Sequence, residues 1–159
     1  SRLKTHKITE KRKVKPKVKI FENEGIFYIP VDHQGCSTSS EEEAKKIKTI
    51  YDQILDSKYV EEDDNGKMIS GTIKHNNIMT IAPFNVQVGR LIKELNEKAK
   101  VGTIDKFQGQ EAKVVFISFT SSDPENLPRH KDWFFSRIRL NVAVSRGQSI
   151  VIVIASCLL

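Results

Sequence analysis

Two arginines near the end of the sequence, Arg139 and Arg146, are the residues best suited to chemistry on a phosphate group. They are seven positions apart, so on a helix they would share one face at a separation of about 10 Å. Val142 and Ala143 lie between them and are short enough to leave both guanidinium groups unobstructed. An arginine that reaches a transferring phosphoryl group accelerates the transfer by about 10³–10⁵. The same spacing is also typical of two arginines on a solvated helix edge, so spacing alone leaves both interpretations open.

A glycine within a polar segment is the second candidate. Gly109 is flanked by Gln108, Gln110 and Glu111, which supply hydrogen-bond donors and acceptors. A glycine lets the backbone approach a ligand closely, although a glycine among Gln and Glu is also typical of an ordinary turn. The segment Thr80–Gln87 is the third candidate, and its proline turn would serve equally well as a simple connection from a strand to a helix.

Apolar segments alternate with helical patterns along the chain and supply the elements that must position these residues. Strands are predicted at Ile26–Val31, Ile78–Ala82, Val101–Ile104, Val114–Phe119 and Ile150–Ala155. Helices are predicted from Glu41 to about Asp56 with Ser39 or Ser40 as N-cap, through Val88–Leu95, and from about Trp133 to Arg146, with Gly147 as the C′ residue. Residues 57–76 are predicted to form a solvated loop or hairpin, and residues 123–132 a polar loop.

These elements indicate an α/β fold. Strands that are apolar throughout and alternate with helices favour a mostly parallel sheet with helices on both faces. Such a sheet presents ligands at the carboxyl ends of its strands, and we expect the three candidate segments to meet there.

Positive charge is concentrated at the start of the chain. Residues 1–19 contain nine Lys or Arg and one Glu, a net charge of +8, whereas residues 20–159 contain seventeen Lys or Arg and nineteen Asp or Glu, a net charge of −2. We predict a basic, extended or poorly ordered lead-in over residues 1–19, a fragment of an interdomain connection, followed by one domain over residues 20–159. The lead-in could alternatively follow a nucleic-acid backbone or act as a localisation signal.

Several classes of protein are not expected from the composition. The longest apolar runs, such as Val114–Phe119 and Ile150–Ala155, are too short to span a bilayer. No apolar segment directly follows the basic N-terminus, so a secretory signal peptide is not expected. Cys36 and Cys157 stand far apart without a CxxC motif or a nearby His pair, which argues against a metal site and fits a reducing cytoplasm.

Three segments together resemble a known family. Ile104–Glu111 (IDKFQGQE) resembles motif V, and Arg139–Arg146 (RLNVAVSR) resembles motif VI, of superfamily 1 helicases in the branch that includes the nonsense-mediated-decay helicase. Thr80–Gln87 resembles the family segment in which a strand is followed by Thr-Pro-Tyr and a Gln. The order and separation also match, and the resemblance spans roughly residues 26–159. It is closest to bacterial helicases fused to a RecB-like nuclease, where stretches matching Gly25–Ser40 and Thr120–Pro128 also occur.

The resemblance implies a second, C-terminal RecA-like domain of the P-loop NTPase type and assigns roles by position. Arg146 would be the arginine finger that reaches the γ-phosphate of ATP. The nucleotide would also be bordered by Gln108, Gly109, Glu111 and Arg139, and single-stranded DNA or RNA would be contacted by Thr80, Pro83, Phe84, Asn85, Gln87, Thr103 and Asp105. The sequence departs from the family at Phe84, which replaces a Tyr, and at Gly147-Gln148, which replaces Ala-Arg or Ala-Lys.

The phosphate-binding motif of these enzymes is missing from the sequence. There is no G-x-x-x-x-G-K-[ST] and no Asp-Glu pair after an apolar strand. The family carries both in an upstream RecA-like domain, which would hold the Mg²⁺ that accompanies ATP. We therefore expect half of an ATPase site, inactive alone, in an ATP-dependent helicase or translocase. The alternative is a degenerate, non-catalytic nucleic-acid-binding module that keeps only the fold.

Overall fold

A five-stranded parallel sheet forms the centre of the computed structural model, which describes residues 12–15, 24–122 and 137–156. Within these residues the strands are β1 (Lys13–Lys15), β2 (Gly25–Val31), β3 (Lys58–Glu62), β4 (Met68–Thr72), β5 (Ile78–Ile81), β6 (Lys100–Gly102), β7 (Ala112–Ser118) and β8 (Gly147–Ser156). The helices are α1 (Glu41–Ile54), α2 (Asn85–Leu95) and α3 (Arg137–Val144), with 3₁₀ turns at His75–Asn77 and Ile104–Phe107. The central sheet has the order β2-β8-β7-β5-β6, and every neighbouring pair is parallel. The predicted α/β fold class is confirmed.

Apolar side chains cover both faces of this sheet because successive residues of a buried strand point to opposite sides. All seven residues of β7 are buried. Val114 and Phe116 pack on the α1 and α2 side, whereas Val115 and Ile117 pack on the side of the Ile104–Phe107 turn and α3. Within the described residues, no helix is both long and apolar enough to cross a membrane.

Helix α1 follows its sequence signals closely. Ser40 is the N-cap and accepts a hydrogen bond from the backbone N–H of Glu43 at 3.1 Å. The acidic first turn suits the positive end of the helix dipole, and residues from Ala44 to Ile54 at helical spacing are buried. The helix ends at Ile54, two residues before the predicted end, and Asp56 then takes a φ of 61°.

The segment predicted as a solvated loop or hairpin is a hairpin. Strands β3 and β4 pair antiparallel, and β1 pairs with the other side of β3. Val14 of β1 is fully buried in the main core. Part of the basic lead-in is therefore extended, as expected, but it also packs against the domain. The boundary between residues 19 and 20 stays a prediction.

Several other element ends also differ from the prediction: α3 ends at Val144 rather than Arg146, and β8 begins at Gly147 rather than Ile150. Two differences have a clear structural reason. Strand β6 ends at Gly102, because Ile104 already belongs to the 3₁₀ turn and turns inward. Gly147 is not a left-handed C′ residue, because its φ is not positive and it begins β8. A glycine is needed at this position for space, since an added Cβ would overlap Cγ2 of the buried Val151. The predicted loop at residues 123–132 and the predicted start of the last helix lie outside the described residues.

A buried carboxylate joins several elements at the carboxyl edge of the sheet, the edge formed by the carboxyl-terminal ends of the strands. Glu43 is fully buried in the first turn of α1. Its carboxylate accepts hydrogen bonds from the Ser118 hydroxyl at 2.5 Å and from the backbone N–H of Thr120 at 3.1 and 3.0 Å. Nε2 of His33 lies 2.9 Å from the same carboxylate. Burial raises the pKa of Glu43, and these hydrogen bonds oppose part of the rise.

Replacing Gly147 with Ala tests the spatial role of this glycine. We expect Gly147→Ala to lower the free energy of unfolding by about 1–3 kcal/mol, because the added methyl group overpacks the sheet. Gly89→Ala is the matched control, since Gly89 lies in α2 and an added Cβ there meets nothing within 4 Å. That substitution should raise the stability by about 1 kcal/mol through helix propensity. Urea unfolding measures both changes, and equal effects of the two substitutions would contradict the assignment.

The raised pKa of Glu43 predicts a specific dependence of stability on pH. The contribution of Glu43 to the free energy of unfolding is fully present below the ordinary carboxyl pKa of 4.5, and it is lost as pH rises through the higher pKa of the folded state. The stability difference between the unmutated chain and Glu43→Gln should therefore fall with rising pH. The pKa of the exposed Glu42 is lowered, first by a backbone hydrogen bond, so its contribution is lost as pH falls below 4.5 and the stability difference for Glu42→Gln should rise with rising pH. Urea unfolding between about pH 3 and about pH 8 distinguishes the two trends, and parallel profiles would refute this explanation.

Candidate nucleotide and nucleic-acid surfaces

The three candidate segments lie at two opposite edges of the sheet. The turn at Gly109 directly precedes β7, and Arg146 directly precedes β8, so both lie at the amino edge, formed by the amino-terminal ends of the strands. The Pro83–Asn85 turn follows β5 and Thr103 follows β6, so these lie at the carboxyl edge. The expectation that all three segments meet at the carboxyl ends is therefore wrong. The expectation fails because the loops that precede parallel strands lie at one edge of the sheet, whereas the loops that follow them lie at the opposite edge.

The parallel pairing of β7 with β8 brings the Gly109 turn and Arg146 together. Ala112 is opposite Gly147 in the ladder, and its backbone N–H donates to the carbonyl of Arg146 at 2.9 Å. The first residues of two adjacent strands thus hold the two segments side by side, although they are far apart in the chain.

Arg146 is partly buried and is held by neutral groups. Its Nε donates to the carbonyl of Val142 at 3.2 Å, and its terminal nitrogens donate to the carbonyl of Gln110 and the hydroxyl of Ser145, both at 3.4 Å. No carboxylate within the described residues forms an ion pair with this guanidinium. The charge is therefore positioned by the end of α3 and by the glycine turn, and no carboxylate among the described residues pairs with it.

The Gly109 turn presents exposed backbone next to this charge. Gly109 has a φ of 76°, which favours glycine, and an added Cβ would meet nothing within 4 Å. The turn is closed by two backbone hydrogen bonds. The N–H of Gln108 donates to the carbonyl of Asp105 at 3.3 Å, and the N–H of Gln110 donates to the carbonyl of Phe107 at 3.0 Å. The open space above the turn leaves room for a ligand to approach the backbone.

Two further residues that were predicted to bind the nucleotide flank this turn. Gln108 is exposed, and so is Glu111, whose carboxylate accepts a hydrogen bond from Nε2 of Gln148 at 3.0 Å. Gln148 follows Gly147 in the pair that departs from the family pattern, and it restrains Glu111 at the amino edge. The side chain of Arg139 lies outside the described residues, so its role stays a prediction.

At the carboxyl edge, five predicted nucleic-acid residues border the ends of β5 and β6. Pro83 is buried, Phe84 is half-buried and Asn85 is exposed at the first position of α2. Thr103 is half-buried and precedes the 3₁₀ turn, in which Asp105 is exposed. This edge therefore offers an aromatic ring and several polar groups to a ligand.

Thr80 and Gln87 were predicted to contact nucleic acid, and the structure corrects this prediction because both side chains are fully buried. Thr80 lies within β5, where it cannot reach a nucleic acid. Gln87 uses its amide inside the domain: Oε1 accepts from the N–H of Ser40 and the hydroxyl of Ser39, and Nε2 donates to the carbonyl of Ser40 and the hydroxyl of Ser118. Its four hydrogen bonds of 2.9–3.1 Å satisfy the amide completely, so Gln87 anchors α2 rather than contacting a ligand.

The sequence analysis did not single out Glu43, which is one of three consecutive acids at the start of α1. A signal was present, because Glu43 precedes Ile47 by four and Ile50 by seven positions and therefore lies on the apolar face of α1. An acid on an apolar helix face needs buried partners, which Ser118 and Thr120 provide.

Comparison with known proteins identifies the family to which this chain is related. The family model AAA_12, described as an AAA domain, matches residues 2–158. Fission yeast (Schizosaccharomyces pombe) "DNA replication ATP-dependent helicase/nuclease dna2" is 34% identical over 80 residues, 48% of this chain and 5% of that protein. "Putative helicase MOV-10" of Gallus gallus is 26% identical over 149 residues, 80% of this chain and 15% of that protein. "DNA-binding protein SMUBP-2" of Mus musculus is 31% identical over 90 residues, 55% of this chain and 9% of that protein.

These matches cover only 5–15% of the relatives' own lengths. The family model, in contrast, covers nearly the whole chain. The chain therefore belongs to the AAA_12 family of AAA domains and is a superfamily 1 helicase-type domain.

Proposed function

We propose that this chain is the second motor domain of an ATP-dependent superfamily 1 helicase or translocase. It supplies the arginine finger and part of the single-strand track, and it is inactive without an upstream RecA-like domain. The observation that carries the proposal is the Arg146 guanidinium, which is fixed by carbonyl groups and a hydroxyl beside the exposed Gly109 turn. A binding module that had lost catalysis would have no need to keep this charge unpaired with the carboxylates of the described residues.

The amino edge suits the triphosphate of ATP. The Arg146 side chain provides a planar set of donors matched to phosphate oxygens, and the open backbone at Gly109 allows close approach. Glu111, restrained by Gln148, borders the same space and is suited to hydrogen bonding with a ribose hydroxyl. ATP with Mg²⁺ supplies the phosphoryl group that is transferred to water. We assign the metal to the upstream domain, which would carry the motifs that bind it.

The carboxyl edge suits single-stranded DNA or RNA. The ring of Phe84 can stack on a base, and Asn85, Thr103 and Asp105 can bond to the backbone or bases. A nucleotide at one edge and a nucleic acid at the other would be coupled by movement of the whole domain. Closure around ATP and reopening after hydrolysis would shift the grip on the strand.

The protein partner in this proposal is the upstream RecA-like domain of the same polypeptide. An upstream sequence with a Walker A lysine and an Asp-Glu pair would support the motor, and its absence would favour the degenerate binding module. The resemblance to helicases fused to a RecB-like nuclease and the cytoplasmic location stay predictions.

Arg146→Ala tests the arginine finger in the protein that includes the upstream domain. We expect nucleic-acid-stimulated ATPase turnover to fall by about 10³ or more, with single-strand binding retained, because the lost charge acts only on the transferring phosphoryl group. Lys46→Ala, which removes an exposed cation from within α1 rather than from either edge of the sheet, should leave turnover unchanged. The 159-residue chain alone should show no turnover. Stimulated turnover of Arg146→Ala within about twofold of the unmutated protein would rule out the finger.

Phe84→Ala tests the single-strand track in the 159-residue chain. Removing one stacking ring should weaken binding of a fluorescent oligothymidylate by about 1–3 kcal/mol, which is roughly 5–150-fold in Kd. Phe84→Tyr should keep the affinity, because the stacking face remains. Val86→Ala is the control, since Val86 is the neighbouring exposed apolar residue, with 61% of its surface accessible. Equal Kd values for the alanine variants at positions 84 and 86 would argue against stacking at this edge.

A further inference from the structure

Three elements meet at one buried hydroxyl, that of Ser118 at the end of β7. It accepts a hydrogen bond from Nε2 of Gln87 at 3.1 Å and donates one to Glu43 at 2.5 Å. All three side chains are fully buried. The first turn of α1 and the first turn of α2 are therefore joined through the end of β7.

The same carboxylate holds a strained residue. Thr120 has a φ of 63°, which is rare for a β-branched residue and costs on the order of 1–3 kcal/mol. Both oxygens of Glu43 accept the Thr120 N–H. Thr120 is itself fully buried, so this conformation is imposed inside the domain and is not the relaxation of a free loop.

The strained residue leads into a second connection at the same edge. Two residues later, the N–H of Ser122 donates to the carbonyl of Cys36 at 2.9 Å, and the Ser122 hydroxyl accepts from the N–H of Cys36 at 3.1 Å. The loop that leaves β7 is thereby tied to the loop that leaves β2. A change in the Thr120 backbone would displace both.

These contacts lie directly behind the proposed single-strand track. Gln87 is the third residue of α2, so its amide fixes the helix turn that carries Phe84 and Asn85. Gln87 bonds to Ser118, and Ser118 bonds to Glu43. The position of the track thus depends on a carboxylate that no ligand can reach.

We propose that Glu43 is a positioning residue for the single-strand grip. By holding Thr120 in its left-handed conformation and Ser118 in contact with Gln87, it keeps the end of β7 and the start of α2 in the arrangement that binds the strand. This inference rests on the proposed function, because it requires that the carboxyl edge binds nucleic acid.

The test measures the Kd of the 159-residue chain for a fluorescent oligothymidylate by anisotropy, with far-UV circular dichroism and a thermal midpoint recorded for every variant. Glu43→Gln should weaken binding about tenfold while the chain remains folded, since a small displacement of a binding group costs up to about 10²-fold. Glu42→Gln, the same chemical change on the exposed neighbour, should leave the Kd unchanged.

A second substitution distinguishes positioning from a general loss of stability. Glycine adopts a φ of 63° without strain. Adding Thr120→Gly to the Glu43→Gln chain should therefore lower its Kd about threefold. Ser118→Ala removes the hydroxyl that joins Gln87 to Glu43 but leaves the acceptors of the Thr120 N–H in place, so it should weaken binding, and Thr120→Gly should not restore it. Ser118→Ala also serves as the test if Glu43→Gln does not fold.

The outcomes separate this inference from the proposed function. A folded Glu43→Gln chain with a Kd within about twofold of the unmutated chain would overturn the positioning role and leave the track intact. Failure of Thr120→Gly to restore any affinity to Glu43→Gln would overturn it as well, as would normal binding by a folded Ser118→Ala chain. If the unmutated chain binds no oligothymidylate, both the track and the positioning role are wrong.

Discussion

The parallel pairing of β7 with β8 is the constraint on which the rest of the structure depends. These are the two longest strands of the sheet that have neighbours on both sides, and all seven residues of β7 are buried. Strands buried on both faces must satisfy every backbone group within the ladder. Once Val114–Ser118 is in register with Ile150–Ile154, the residues before and after both strands are fixed in space. The candidate surfaces consist of those flanking residues.

This register explains why one small domain can offer two separate surfaces. The loops that precede parallel strands meet at one edge and the loops that follow them meet at the other. Gly109, Glu111 and Arg146 belong to the first group, and the Phe84–Asn85 turn belongs to the second. Rigid strands connect the edges, so a force applied to Arg146 by a bound phosphate would move the opposite edge with it.

The buried polar groups at the carboxyl edge add precision that apolar packing does not provide. Apolar side chains tolerate small shifts at little cost, whereas a buried carboxylate loses its compensation if its donors move. Glu43 and Gln87 therefore hold the starts of two helices and the end of a strand in one arrangement. The strain at Thr120 is sustained by the same contacts.

The sequence by itself determined the elements that depend on local pattern. It identified α1 with a cap at Ser39 or Ser40, the five strands of the central sheet, α2, and a helix before the last strand, because periodicity and capping act within a few residues. For residues 57–76 it left a loop and a hairpin as alternatives. Only the tertiary structure decided which edge each segment occupies, that Thr80 and Gln87 are buried, and that Glu43 reaches Thr120, 77 positions away. Those outcomes depend on strand order and on partners brought together by long-range pairing, and neither leaves a local trace in the chain. Gly147 is a further example. Its neighbours in sequence suggested the end of a helix, but in the structure a glycine is needed there because the side chain of Val151 leaves no space for a Cβ.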